Sequence, residues 1–294
     1  MKKHYEINYL PLKVSLMSQQ RAELPAYLGS ALRGMIGQAL LQTDKDACTF
    51  LYRNGEDALH TGQVVVKPYM IVPPEICRPQ TVIRQGEDIE FEFLMFGSAV
   101  QYVSSLILAL EKINRFGLGA RRYPFSLLKI INSQTKRFIW RSGKSLLSNV
   151  DSVAVPCYEL QDVTGVIIKI CTPLRIRHGG TLIKEISFQT LIRNIVNRIT
   201  AITERYGGWA DRAEMERIQW LAAEVRTARE ELRVERMERY SNRINGKMDF
   251  SGLMGEVEYE GELSPFVPWL CAAQVLHIGR NTTFGMGKVE VYFI

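Results

Sequence analysis

The sequence predicts an α+β protein of two tandem ferredoxin-like (RRM-like, βαββαβ) domains, the second carrying an extra helix. Three observations carry this expectation. The hydrophobic period switches repeatedly between two and about 3.6 along the chain. The elements run strand, helix, strand, strand, helix, strand, and the same order begins again after a stretch without periodicity. Such self-similarity marks a duplicated unit.

In the first half, residues 5–17 alternate as a strand, and LPAYLGSALRGMIGQALL (24–41) has helical spacing entered through a proline. QVVVKPYMIVPP (63–74) and EDIEFEFLMFG (87–97) read as strands. SAVQYVSSLILALEKINRFG (98–117) reads as a helix with serine near its start and glycine at its end. RRYPFSLLKII (121–131) returns as a strand. Residues 141–162 lose periodicity and read as an interdomain link. The second half then gives a strand over 163–177, a helix over 187–207 and a second, charged helix over about 212–240. One or two strands over 246–261, a helix over 263–279 and a last strand in MGKVEVYFI follow. The expected domains are 1–150, holding the candidate catalytic residues, and 151–294, holding a glycine-rich loop.

The 294 residues suffice for two ordinary domains, and 46% of them are apolar, enough for real cores. No run approaches the roughly 18 apolar residues of a membrane helix. The N-terminus has no apolar signal core, so no membrane role is expected. Five scattered cysteines without a C-x-x-C pair suggest neither a disulfide framework nor a zinc site, and the expected compartment is a reducing cytoplasm. A net charge of +6 permits a polyanionic partner.

LGSALRGMIGQAL, LMFGSAVQY, GLGARRYPFSL, TPLRI, RYSNR…MDFSGLMGEVEYEGEL and LHIGRNTTFGMGKVEVYF occur in this order over nearly the whole chain. Taken together they resemble the CRISPR-associated endoribonucleases that cut precursor CRISPR RNA, the sixth Cas family of the RAMP superfamily. The resemblance implies metal-independent cleavage within a CRISPR repeat, with no cofactor. Attack by a 2′-hydroxyl would leave a 2′,3′-cyclic phosphate and a 5′-hydroxyl. The sequence departs from relatives with several cysteines between the first helix and the proline-rich strand, since here only Cys48 and Cys77 occur.

Such chemistry needs one proton removed, one donated, and phosphate charge offset, and histidine titrates in the right range. Four histidines are available. His60, in LYRNGEDALHTGQ after the first helix, is where the resemblance implies a catalytic histidine; its polar, turn-rich run also fits a solvated loop. Lys67 would then stabilise the phosphate, and Tyr27, placed on the first helix, would orient or share the proton. His277 fits either a residue meeting the last carbonyls of its helix or a second catalytic candidate. His178 in RIRHGG fits an exposed turn or a phosphate contact, and His4 lies at a strand edge.

For RNA binding, Gly279, Gly285 and Gly287 would expose amides to phosphates, with Arg280 and Lys288 adding charge and Thr283 and Phe284 lying between them. The same glycines also fit a tight turn. GLGARR offers a second glycine turn with Arg121 and Arg122, and Arg33 belongs to an RG pair that fits RNA contact, a cap or a salt bridge. Arg229, Arg233 and Arg236 would share one stripe of the charged helix, either a solvated face or a grip on an RNA stem.

The expected partners are a CRISPR repeat RNA and effector-complex Cas proteins, with the chain a monomer or homodimer. A non-catalytic RNA-binding subunit of an effector complex, or a ferredoxin-like module binding a nucleotide or protein, are the rival functions. No Walker-type phosphate loop or GGDD-like acidic cluster supports nucleotide chemistry.

Overall fold

The computed structural model describes residues 3–53, 65–74, 80–241 and 246–294. The chain forms two compact units, one of Asn8–Ala154 and one of Met1–Ile7 with Val155–Ile294.

The first unit opens with β1 (Asn8–Ser18), a long strand whose Leu10, Leu12, Val14 and Leu16 all face the core. β2 (Ala22–Pro25) is followed by α1 (Gly29–Thr43), which buries Leu32, Met35, Ile36, Ala39 and Leu40 at helical spacing. β3 (Tyr69–Val72), β4 (Gln80–Ile83) and β5 (Asp88–Phe96) come next. α2 (Val103–Glu111), β6 (Phe125–Asn132) and β7 (Phe138–Arg141) complete the unit. All pairings are antiparallel, in the order β3-β5-β1-β6-β7, while β2 pairs with β4 separately. The first long strand thus lies between the third and the last of the repeat, the ferredoxin-like arrangement.

Two expectations change here. The first helix begins at Gly29 rather than Leu24, because Leu24 and Pro25 pair with Thr81 and Gln80. Tyr27 therefore sits in the entry loop and not on the helix. The second helix is α-helical only over Val103–Glu111, with 3₁₀ turns at Gly97–Tyr102 and Ile113–Arg115 on either side. Within the stretch expected as a link, Lys144–Ser145 pairs with β7 and Val153–Ala154 pairs with β1.

The second unit contains β8 (Gly165–Leu174), α3 (Phe188–Tyr206) and α4 (Arg212–Leu221). β9 (Arg226–Glu235), β10 (Gly252–Glu260), α5 (Val267–Leu276) and β11 (Val289–Phe293) follow. Its sheet order is β9-β10-β8-β11, so the repeat's first strand is again central. Ser187 caps α3 by accepting from the Thr190 amide. α5 is buried on nearly every side. Tyr5 is locked into this unit: its hydroxyl donates to the Pro268 carbonyl at 2.7 Å and also meets the Pro156 carbonyl.

The charged helix expected over about 212–240 is a correction. Only its first part is helical, and residues 226–235 form β9, the strand the repeat requires beside β10. Arg, Glu and Ala favour a helix locally, but the neighbouring strand offers a complete backbone ladder, and pairing overrides propensity. Arg229 and Arg233 share a face through the period of two, with Glu231 between them, and Arg236 lies beyond the strand.

Candidate functional site

The glycine-rich loop between α5 and β11 is closed at its neck by backbone and side chain. The Ile278 amide donates to the Gly287 carbonyl at 2.9 Å, and His277 Nδ1 lies 3.2 Å from the Met286 carbonyl, so the proton is on Nδ1. Its floor is the end of β8 together with Arg175. The Arg280 amide donates to the Arg175 carbonyl at 2.9 Å, and the Gly287 amide to the Pro173 carbonyl at 3.2 Å. Thr172 Oγ1 donates to the Gly285 carbonyl at 2.8 Å and accepts from the Lys288 amide at 2.9 Å.

The glycines are needed for close approach. At Gly287, where φ is +73°, a Cβ would lie 1.8 Å from the Ile278 carbonyl oxygen. At Gly279, where φ is +77°, it would lie 2.6 Å from that of Arg175. The Gly285 amide donates to Thr282 and the Gly287 amide to Pro173, so these two serve the turn, and the expected exposure of both to phosphate does not hold in this conformation. Arg280 is exposed and Lys288 half-buried, leaving side-chain cations at the surface. Thr283 is buried, and Phe284 packs edge-on against Phe250 with ring centroids 5.1 Å apart.

His277 is buried at 2% exposure. Burial, with the nearby Arg198 guanidinium second, lowers its pKa to about 3, so the ring is neutral. The carbonyl of Leu276 at the end of α5 is taken not by His277 but by Arg198, whose Nε donates at 2.5 Å. Sequence reasoning missed Arg198, although a lone cation among Leu191, Ile195 and Ile202 on the apolar stripe of α3 is a legible signal.

In the first unit the GLGARR segment is a tight turn closed by reciprocal bonds between Leu118 and Tyr123. Arg121 and Arg122 are exposed at its tip. Arg121 contacts the Tyr123 hydroxyl at 3.3 Å and lies 3.7 Å from Glu23 of β2, close to Tyr27 in sequence. A Cβ at Gly119 would lie 3.3 Å from Leu24, again bringing the turn against β2. The structure thus brings the Arg121 turn against β2, a few residues ahead of Tyr27 in the chain. Tyr27 is half-buried, and burial raises its phenol, which stays protonated near neutrality. Lys67 is half-buried ahead of β3. His60 lies outside the described residues.

Arg33 takes a packing role. Its guanidinium lies 4.9 Å from the Tyr52 ring centroid, in a stack that continues through Tyr69 to Phe93. The Tyr52 hydroxyl donates to the Arg33 carbonyl at 3.1 Å. Among the described residues, no group of three or more His, Cys, Asp or Glu is placed to hold a metal ion. No helix among them is long and apolar enough to cross a membrane.

Residues 168–289, spanning β8 to the start of β11 and the whole loop, match the family model described as CRISPR-associated endoribonuclease Cas6. The match marks the second unit as Cas6-like. Residues 7–152 match a family described only as an N-terminal domain. No curated protein matches the chain by sequence.

Among solved structures, a Cas6 product complex is similar with a TM-score of 0.62 at 12% identity, covering 97% of this chain and 100% of that one. Thermus thermophilus Cas6 gives 0.59 at 12% identity, covering 97% and 99%. A partial Cas6-RT-Cas1–Cas2 complex gives 0.62 at 13% identity, covering 100% of this chain and 47% of that one. At these identities the likeness is one of fold, and the Cas6 fold is the tandem ferredoxin-like arrangement seen here. The Cas6 match spans the neck of the glycine-rich loop, including His277.

Proposed function

We propose that this protein cuts precursor CRISPR RNA within its repeats, without a metal, by attack of a substrate 2′-hydroxyl on the adjacent phosphorus. A P–O2′ bond forms while the P–O5′ bond breaks, giving a 2′,3′-cyclic phosphate and a 5′-hydroxyl. The nucleophile is part of the substrate, so the protein's task is to align the step, move two protons and offset charge on the phosphate. The observation that carries this reading is the Cas6 family match over the unit that holds the glycine-rich loop.

His60 is the proposed base, a role that rests on the resemblance. Tyr27, kept protonated by burial, suits donation of a hydrogen bond or proton and not abstraction. Lys67 is the proposed phosphate partner. His277 is left out of the chemistry because its ring is buried and its Nδ1 proton is committed to Met286. Arg280, Lys288, Arg121 and Arg122 are the proposed backbone contacts, supported by their place on glycine turns. The similar fold in a Cas6-RT-Cas1–Cas2 complex favours Cas proteins as further partners.

The test is cleavage of repeat RNA in EDTA, beside a substrate carrying a 2′-deoxy nucleotide at the cut site. Cleavage that persists in EDTA and stops with the deoxy substitution is expected. A magnesium requirement, or cutting of the deoxy substrate, overturns the mechanism. His60→Ala should reduce the rate at least about a hundredfold.

A further inference from the structure

Immediately after β8 the chain makes a small hairpin in which Arg177–His178 pairs with Thr181–Leu182. Gly179 and Gly180 form its tip at φ +56° and +83°, and nothing lies within 4 Å of a Cβ built at either. The tip is open to solvent, and His178 and Lys184 are exposed on it or beside it.

The hairpin is coupled to the glycine-rich loop through its base. The Arg175 carbonyl receives the Arg280 amide, so Arg280 sits against the strand that runs two residues later into Arg177. Arg175 and Arg177 point to the same side, and both reach Asp249 Oδ2, at 3.1 and 3.4 Å. One carboxylate therefore faces two guanidiniums, one of them buried and the other, Arg177, a third exposed. Arg280 and Lys184 join them, against Asp249 and the exposed Glu185, so cations outnumber carboxylates at this end of the second unit.

The open face of the same sheet has the opposite character. Across the four strands Glu231 stands beside Glu256, Glu256 beside Lys169, and Lys169 beside Glu290, three carboxylates to one lysine. That lysine is bonded to Glu290 at 3.1 Å, and Glu290 also accepts from Tyr292, the exposed aromatic of the face. The face also carries Arg229 and Arg233, ion-paired to Glu231 and Glu235, so with Glu256 and Glu290 its carboxylates outnumber its cations and a polyanion gains little there, although sheet-face aromatics are the usual base platform of RRM-like domains.

We propose that the Arg177–Leu182 hairpin is a second RNA-backbone contact, in which Arg177 and His178 hold a phosphodiester next to the one held at Arg280. RNA then follows the loop end of this sheet and avoids its open face. The inference rests on the RNA-binding reading above and adds the path of the strand.

Fluorescence anisotropy of the full-length protein with fluorescein-labelled oligouridylate, measured over a range of NaCl, tests it. The probe isolates backbone contacts, since phosphate binding is independent of sequence. Arg177→Gln with His178→Ala should weaken binding about five- to tenfold and reduce the slope of log Kd against log salt by about 0.7 for each phosphate no longer held. Arg177→Lys should keep the slope, and His178→Ala alone, at the exposed tip, reports on the contact without disturbing Asp249. Glu256→Gln with Glu258→Gln, the next β10 residue on the open face and opposite Arg229, should leave the slope unchanged. A wild-type protein without affinity for the probe overturns the RNA reading and the hairpin with it. A wild type that binds while the hairpin variants bind equally well, with the same slope, overturns the hairpin contact alone. So does a change in salt slope confined to the open-face variants.

Discussion

The His277 ring spans the neck of the glycine-rich loop, its Nδ1 3.2 Å from the Met286 carbonyl. The same residue has φ 56° and ψ 167°, a backbone region that is costly for any side chain but glycine. A buried, neutral histidine in a strained conformation is here a staple that fixes where Arg280 and Lys288 leave the loop.

That staple makes stability sensitive to acid. His277 has a folded pKa of about 3 against an ordinary 6.5, so the unfolded chain binds the extra proton between those values and stability falls as pH drops below about 6.5. The loss should reach roughly 2 kcal/mol by pH 5. Thermal melts from pH 8 to pH 4 should show it, and His277→Gln should flatten the acid limb. An equally steep limb in the variant would remove His277 as the cause.

Gly287→Ala should destabilise the protein by about 3 kcal/mol, because the new Cβ meets backbone that cannot move aside. Gly34→Ala is the contrasting case. Gly34 lies inside α1 with nothing within 4 Å of its Cβ position, so alanine should stabilise by about 0.5–1 kcal/mol. Urea midpoints of the two variants should move in opposite directions.

Arg33→Ala should act on stability and not on RNA affinity. Loss of the guanidinium from the Tyr52 stack should cost about 1–2 kcal/mol, while Kd for repeat RNA stays within about twofold. A large affinity loss with an unchanged melting temperature would restore Arg33 to the RNA contacts.

The N-terminal residues should be required by the second unit. Tyr5 and Ile7 are fully buried within it, and the Tyr5 hydroxyl bonds to Pro268. Tyr5→Phe should cost about 1–2 kcal/mol. A fragment starting at Val155 should melt well below one with residues 1–7 fused ahead of it, as followed by circular dichroism.

Much of the fold was legible because long apolar strands such as Asn8–Ser18 and amphipathic helices such as α3 carry their period in the residues themselves. The order of the motifs likewise pointed to the Cas6 family. Residues 226–235 were not legible, since their nearly all-exposed Arg and Glu have no apolar period and take strand form only from the ladder that β10 supplies. The entry to α1 was misplaced for the same reason, through the pairing of Leu24 and Pro25.

At the candidate site the sequence by itself determined the residue types: three loop glycines, flanking cations and few histidines. Only the tertiary structure decided their roles. It turned the Gly285 and Gly287 amides inward, folded Arg33 onto Tyr52 and buried His277 beside Arg198. The physical reason is that burial, amide direction and pKa depend on neighbours distant in sequence, such as Pro173, Arg175 and Arg198, which no local pattern specifies.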